Sequence, residues 1–261
     1  MKSEIMKKGK GANGRMAVDE GKSGKRKMPM ICVPVTAKNE EEFIAQLESL
    51  GDLPVDLIEW RVDFCSDQWG FEKGMARFKE RGIRTPLLVT LRSKGEGGER
   101  FLDAKEYEGQ IRHMLDFEGV DYVDIEFKTA GHGVDGLIER AGDRSVRTIL
   151  SSHNFKETPS NQELKSLMQA MDRTEADLIK VALMPQKKSD VLRWMSFVED
   201  MRGSVKKPIV AIAMGELGKI TRYQAEFLES PITFASGKDA SAPGQIPAAE
   251  LKKLMTAIHA L

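Results

Sequence analysis

Eight short runs rich in β-branched residues punctuate the chain from Met30 onward, at 31–36, 55–62, 86–91, 122–127, 146–151, 177–183, 208–213 and 232–234. Their starts lie about 24–36 residues apart, the length of one βα unit. Segments with helical spacing fall between them. Phe43, Ile44, Leu47 and Leu50 mark one such face, and Leu251, Leu254, Met255, Ile258 and Leu261 mark the last. Leu164, Leu167, Met168 and Met171 mark another, behind a Ser160-x-x-Glu163 capping box. Strands alternating with helices fit an open doubly wound sheet or a closed barrel. A nucleotide-binding open sheet carries Gly-x-Gly-x-x-Gly after its first strand, where this chain has Val35-Thr36-Ala37-Lys38-Asn39. Eight units in about 230 residues match the usual size of a barrel. The predicted fold is α/β, a single (β/α)8 TIM barrel over residues 29–261 preceded by a flexible basic tail, residues 1–28.

The tail rests on charge and composition. Residues 1–30 hold nine Lys/Arg against three acidic residues, in a 261-residue chain whose formal net charge is zero. They hold five glycines and no aromatic residue, too little apolar surface to offset the entropy of ordering them. Overall neutrality removes the electrostatic case for a nucleic-acid partner. No apolar run reaches the ~18 residues of a membrane span, so no membrane partner is expected. Two cysteines, Cys32 and Cys65, suit neither a disulfide scaffold nor a four-thiolate zinc site. The expectation is a cytoplasmic protein.

Barrel enzymes keep their chemistry at the C-terminal ends of the strands, which turns misplaced polar residues into candidates. Strand two ends in Glu59-Trp60-Arg61-Val62-Asp63, and strand three runs into Arg92-Ser93 and then Lys94-Gly95-Glu96-Gly97-Gly98-Glu99. Strand four carries Asp124 and Glu126, strand five leads to Ser152-His153-Asn154-Phe155, and strand six contains Lys180. Residues two apart share a face, so Glu59 projects with Arg61, and Asp124 with Glu126. Lys180 admits two readings. It is an edge-strand lysine reaching out to water, or a desolvated amine able to form a Schiff base with a carbonyl. Asp124 and Glu126 read as groups that hold Lys180 and its neighbours by charge pairing. Of four histidines, His113 and His259 fall in helical segments and His132 in a glycine-flanked turn, which leaves His153 as the acid/base candidate. No metal-ligand spacing occurs among them, so no metal is expected.

In this order, Glu59-Trp60-Arg61-Val62-Asp63, Arg92-Ser93 with Glu96-Gly97-Gly98, Asp124-Ile125-Glu126, His153-Asn154-Phe155, Lys180 with Met184-Pro185-Gln186, and Ser241-Ala242-Pro243-Gly244-Gln245 resemble type I 3-dehydroquinate dehydratase. The resemblance spans Met30 to Leu261. It implies a hydro-lyase that converts 3-dehydroquinate to 3-dehydroshikimate and water in the shikimate pathway, through a covalent imine and with no cofactor. It places the imine on Lys180, the proton transfers on His153, and the tuning of that histidine on Glu96. Glu59, Arg61, Arg92, Arg222, Ser241 and Gln245 match the substrate-binding set, with Arg222 facing the substrate carboxylate, and Met214 and Phe155 match apolar lining. A mobile loop after strand eight and a homodimer are also implied. Two positions depart from the family pattern, Pro34 on strand one and Ser152 before His153. The alternative is another Schiff-base barrel lyase such as a class I aldolase, whose glycine-rich phosphate site near the last two strands is not evident here.

Overall fold

The computed structural model describes residues 27–66, 69–238 and 240–260. Among the described residues there are eight strands, β1 Met30–Val35, β2 Leu57–Arg61, β3 Leu87–Thr90, β4 Tyr122–Glu126, β5 Arg147–Asn154, β6 Leu178–Leu183, β7 Ile209–Ala213 and β8 Ile232–Phe234. Between and after them run α1 Glu40–Ser49, α2 Gly70–Glu80, α3 Ala104–Leu115, α4 Phe127–Ala130, α5 Val134–Asp143, α6 Asn161–Asp172, α7 Lys188–Met201, α8 Gly215–Gly218, α9 Ile220–Tyr223 and α10 Ala248–His259. All ladders are parallel, in the order β7-β6-β5-β4-β3-β2-β1-β8. The predicted TIM barrel is therefore present.

It is nearly closed rather than closed. Among the described residues β7 and β8 share no ladder, and α9 bridges the seam with side chains. The Ala213 amide donates to Thr221 Oγ1 (3.0 Å), Arg222 Nη1 donates to the Phe234 carbonyl (3.1 Å), and Thr233 Oγ1 donates to the Arg222 carbonyl (2.9 Å). Gly218 lets this segment tuck in, since a Cβ there would lie 2.2 Å from the Ala213 carbonyl oxygen. Lys180 lies on β6, laddered to β5 and β7 on its two sides, so it is not an edge-strand lysine.

Two apolar cores follow from the alternation of strand residues. The outer one packs helices on the barrel and includes Phe43, Trp60 and Trp69 in mutual ring contact, with Phe71 stacked on Trp60. The inner one, with Cys32, Leu57, Leu88, Tyr122, Ile149, Leu178, Ile232 and Phe234, fills the barrel's lower half. The Ser160–Glu163 capping box opens α6 as expected. Leu254 is 37% exposed, however, because α10 turns only Ala248, Leu251 and Met255 fully inward. Residues 1–26, most of the predicted tail, lie outside the described residues. Met28 packs against the outer core. Pro34 lies in mid-β1 without disrupting a ladder. Its missing N–H faces the β8 side, where pairing has already ended at Cys32 and Phe234.

At the N-terminal face an aspartate immediately before β2, β4 and β6 repeats one device. Asp56 Oδ2 accepts the Ile31 amide (2.9 Å), Asp121 Oδ2 the Leu87 amide (2.8 Å) and Asp177 Oδ2 the Thr148 amide (2.7 Å). Asp56 and Asp121 also donate their own amides to the carbonyls of the same partners, which extends each parallel ladder by one step. Asp121→Ala should cost about 1 kcal/mol, lowering Tm by about 2–4 °C with kcat/KM unchanged. Thermal denaturation checks this, and an unchanged Tm would show that water replaces the carboxylate without loss.

Candidate active site

Above the apolar floor the barrel interior turns polar. Glu59, Thr90, Asp124, Ser151 and Lys180 project inward from five consecutive strands and are buried. Asp124 is the hub. Its Oδ2 lies 3.0 Å from Lys180 Nζ and 2.9 Å from Arg92 Nη2, and its Oδ1 accepts from Ser151 Oγ (2.5 Å). Arg92 Nη1 also reaches Glu126 Oε1 and Ser151 Oγ, each at 3.0 Å. Burial alone would push the Asp124 carboxyl up, but Arg92 and Lys180 together hold it well below the usual carboxylate range. Lys180 Nζ also stands 4.3 Å from the centre of the Phe234 ring.

His153 sits one strand from Lys180. The β5 strand continues through it, paired with Ala182, rather than stopping at Ser151 as the sequence suggested. The longer ladder places Ser151 and His153 on the interior face and turns Ser152 outward, so the departure at 152 does not touch the interior. His153 Nδ1 lies 2.9 Å from Glu96 Oε2, and the same oxygen accepts the His153 amide (3.0 Å). That leaves Nε2 as the ring nitrogen free to exchange protons. Burial, reinforced by the Arg92 and Lys180 cations, pushes the imidazole well below the ordinary histidine range. Burial pushes Glu96 up to about 8, against the pull of Arg92.

The remaining predicted residues occupy three places. Glu59 Oε1 accepts from Thr90 Oγ1 (2.8 Å). Arg61 is held by Asp63 as a two-pronged pair (2.8 and 2.7 Å), with its guanidinium over the Phe64 ring. On the seam side Arg222 is 2% exposed; among the described residues it donates only to the Phe234 and Pro243 carbonyls, and its Nε has no partner. Burial pulls this guanidinium down to about 10. Ser241 and Gln245 hydrogen-bond to each other, and their loop docks where Gly215 donates to the Pro243 carbonyl (3.2 Å). Met214 is buried at the end of β7. Phe155 is 37% exposed and lies over Gly97, its ring 6.5 Å from that of His153. Ser151, Thr90 and Tyr107 were not singled out from the sequence. Tyr107, on α3, accepts the Glu126 amide (2.8 Å) and stiffens β4 below its carboxylate.

A barrel with a buried lysine on β6 and a histidine–carboxylate pair on the adjoining strand end has the groups that imine chemistry uses. A sequence model of the type I 3-dehydroquinase family matches residues 31–261. The chain is 36% identical over 236 residues to a 3-dehydroquinate dehydratase of Syntrophotalea carbinolica, covering 88% of this chain and 93% of that protein. A 3-dehydroquinate dehydratase of Clostridioides difficile is 33% identical over 237 residues, covering 88% and 92% of the two chains. The crystal structure of a type I 3-dehydroquinate dehydratase from Clostridium difficile, covalently modified with comenic acid, superposes with a TM-score of 0.83 at 33% identity, covering 89% of this chain and 93% of that one.

The chain belongs to the type I 3-dehydroquinase family. It is a hydro-lyase that dehydrates 3-dehydroquinate through a covalent lysine imine, without a cofactor, in the shikimate pathway. This displaces the aldolase alternative. Among the described residues no helix is long and apolar enough to cross a membrane.

Proposed function

We propose that Lys180 carries the imine, that His153 moves both protons, and that Glu96 orients and tunes His153. The observation that carries this reading is the position of Lys180 Nζ, buried inside the barrel against Asp124 (3.0 Å) and one strand from the His153–Glu96 pair. The amine nitrogen attacks the substrate ketone, and the carbonyl oxygen leaves as water, so a protonated C=N replaces C=O. His153 Nε2 then takes the proton alpha to the imine, and the C–H electrons form a neutral enamine. Reversal of that electron flow expels the β-hydroxyl, to which the imidazolium returns its proton as a second water forms. Hydrolysis of the product imine frees Lys180. A neutral imidazole is needed at the first transfer, which the lowered basicity of His153 favours. The nearby Asp124 stabilises the imidazolium that follows.

Glu59, Arg61, Arg92, Ser241 and Gln245 supply hydrogen bonds to the substrate, and Met214 and Phe155 the apolar walls. Arg222 binds the carboxylate. Its support is physical, because a buried charge with no counter-ion among the described residues and an orphan Nε costs free energy that an anionic ligand offsets. Arg222→Gln should raise KM on the order of 10–100-fold, as expected for a hydrogen bond to a charged group of about 1.5–3 kcal/mol, with a smaller change in kcat. An unchanged KM for 3-dehydroquinate would exclude Arg222 from carboxylate binding. Trapping with borohydride and mass spectrometry of the modified peptide tests Lys180 itself. The family relationship also supports a homodimer in a cytoplasmic setting, which sedimentation velocity and cell fractionation would check.

A further inference from the structure

We infer that Asp63 is a positioning residue that fixes the neck of the 92–100 loop and thereby the reach of Glu96 to His153. Asp63 is 2% exposed, in the turn after β2, and its hydrogen bonds go to Arg61, Arg92 and Glu99. Its carboxylate takes four donors. Oδ1 accepts Arg61 Nε (2.8 Å) and the Arg92 amide (3.3 Å), while Oδ2 accepts Arg61 Nη2 (2.7 Å) and the Glu99 amide (3.2 Å). The two amides belong to opposite legs of one loop. Those legs are joined above by the Lys94 amide on the Arg100 carbonyl (2.6 Å) and the Gly98 amide on the Ser93 carbonyl (2.8 Å). Glu126 Oε1 grips the Ser93 amide from the β4 side (2.8 Å). The Arg100 guanidinium donates to the Asp63 and Cys65 carbonyls.

Within this ring Gly98 passes so close to Arg92 that a Cβ would lie 1.9 Å from its carbonyl oxygen, so the neck has little slack. Glu96 projects from the single-turn helix Lys94–Glu96 inside the ring. A shift of one leg therefore moves the carboxylate that holds both the ring and the amide of His153. The Asp63 carboxylate also holds Arg61, which links a proposed substrate contact to the proton-transfer pair.

The inference rests on the reading of Glu96 as the partner of His153, and the test separates the two. Asparagine keeps the size of Asp63 but offers one acceptor oxygen, so one leg must lose its acceptor. Steady-state kinetics of Asp63→Asn are measured in the native background and in Glu96→Gln. The expected result is a kcat loss of tenfold or more with Glu96 present, since a misplacement of about 1 Å can cost on the order of 10²-fold. With Glu96→Gln the further loss should be below about twofold, the non-additivity of residues acting through one contact. KM should rise in both backgrounds through Arg61. An equal kcat loss in both backgrounds, or none in either, overturns the inference. Wild-type kcat in Glu96→Gln alone would overturn the Glu96 reading and this inference with it. Should Asp63→Asn not fold, Arg100→Gln loosens the same neck from its other leg and is compared in the same two backgrounds, with the same outcomes deciding.

Discussion

Lys180→Ala should yield a folded protein that neither turns over 3-dehydroquinate nor forms a borohydride-trapped adduct. The substitution deletes the only nitrogen proposed to bond covalently to substrate, so the loss is of mechanism rather than of affinity. Its cost to stability is bounded by what Asp124 keeps. Removing one partner of a buried ion pair typically costs about 3–5 kcal/mol because the other charge is stranded. Here Asp124 retains Arg92 at 2.9 Å and Ser151 at 2.5 Å, so the penalty should fall below that range. The lower apolar floor does not include Lys180 and remains intact. Intact-mass spectrometry after borohydride reduction checks the first claim and circular dichroism the second. An adduct on exposed Lys94, Lys128 or Lys238 in the native protein would remove Lys180 from this role.

The parts of this site that were legible in the sequence are those written in period two. Lys180 among Leu178, Ile179, Val181 and Ala182, and Asp124 with Glu126, break an apolar strand pattern, and the ladders on both sides of β6 decide for the inward reading of Lys180. The β5 boundary was misjudged because Ser152-His153-Asn154 has the composition of a loop, whereas pairing to β6 holds it extended. The open seam was hidden for a related reason. The β8 run has only three residues, and nothing local announces that Thr221 and Arg222 stand in for its missing partners. Asp63 was visible as part of a motif, but its four donors come from residues two and 29 to 36 positions away. The aspartates at 56, 121 and 177 precede their strands in plain view, yet their meaning depends on which strands become neighbours.

His153→Ala should separate imine formation from proton transfer. Lys180 and its Asp124 and Phe234 contacts do not depend on the imidazole, so substrate should still be trapped on the protein. Turnover should fall by at least the ~10²–10⁴-fold typical of one general acid–base group, because here a single ring performs two transfers. The pH profile of the native enzyme provides an independent check with a definite sign. Burial and the Arg92 and Lys180 cations disfavour the imidazolium, so protonation is displaced to lower pH and the base form persists as the solution is acidified. The acid limb of kcat/KM should therefore lie below the ordinary histidine value of about 6.5, and no such limb should remain in the residual activity of His153→Ala. Glu96, pushed up to about 8, ionises as pH rises through that value and then favours the imidazolium more strongly, which adds a second, alkaline inflection that Glu96→Gln should erase. Retention of more than about a tenth of native activity by His153→Ala, a loss smaller than this class of catalysis supplies, would show that another group moves the protons.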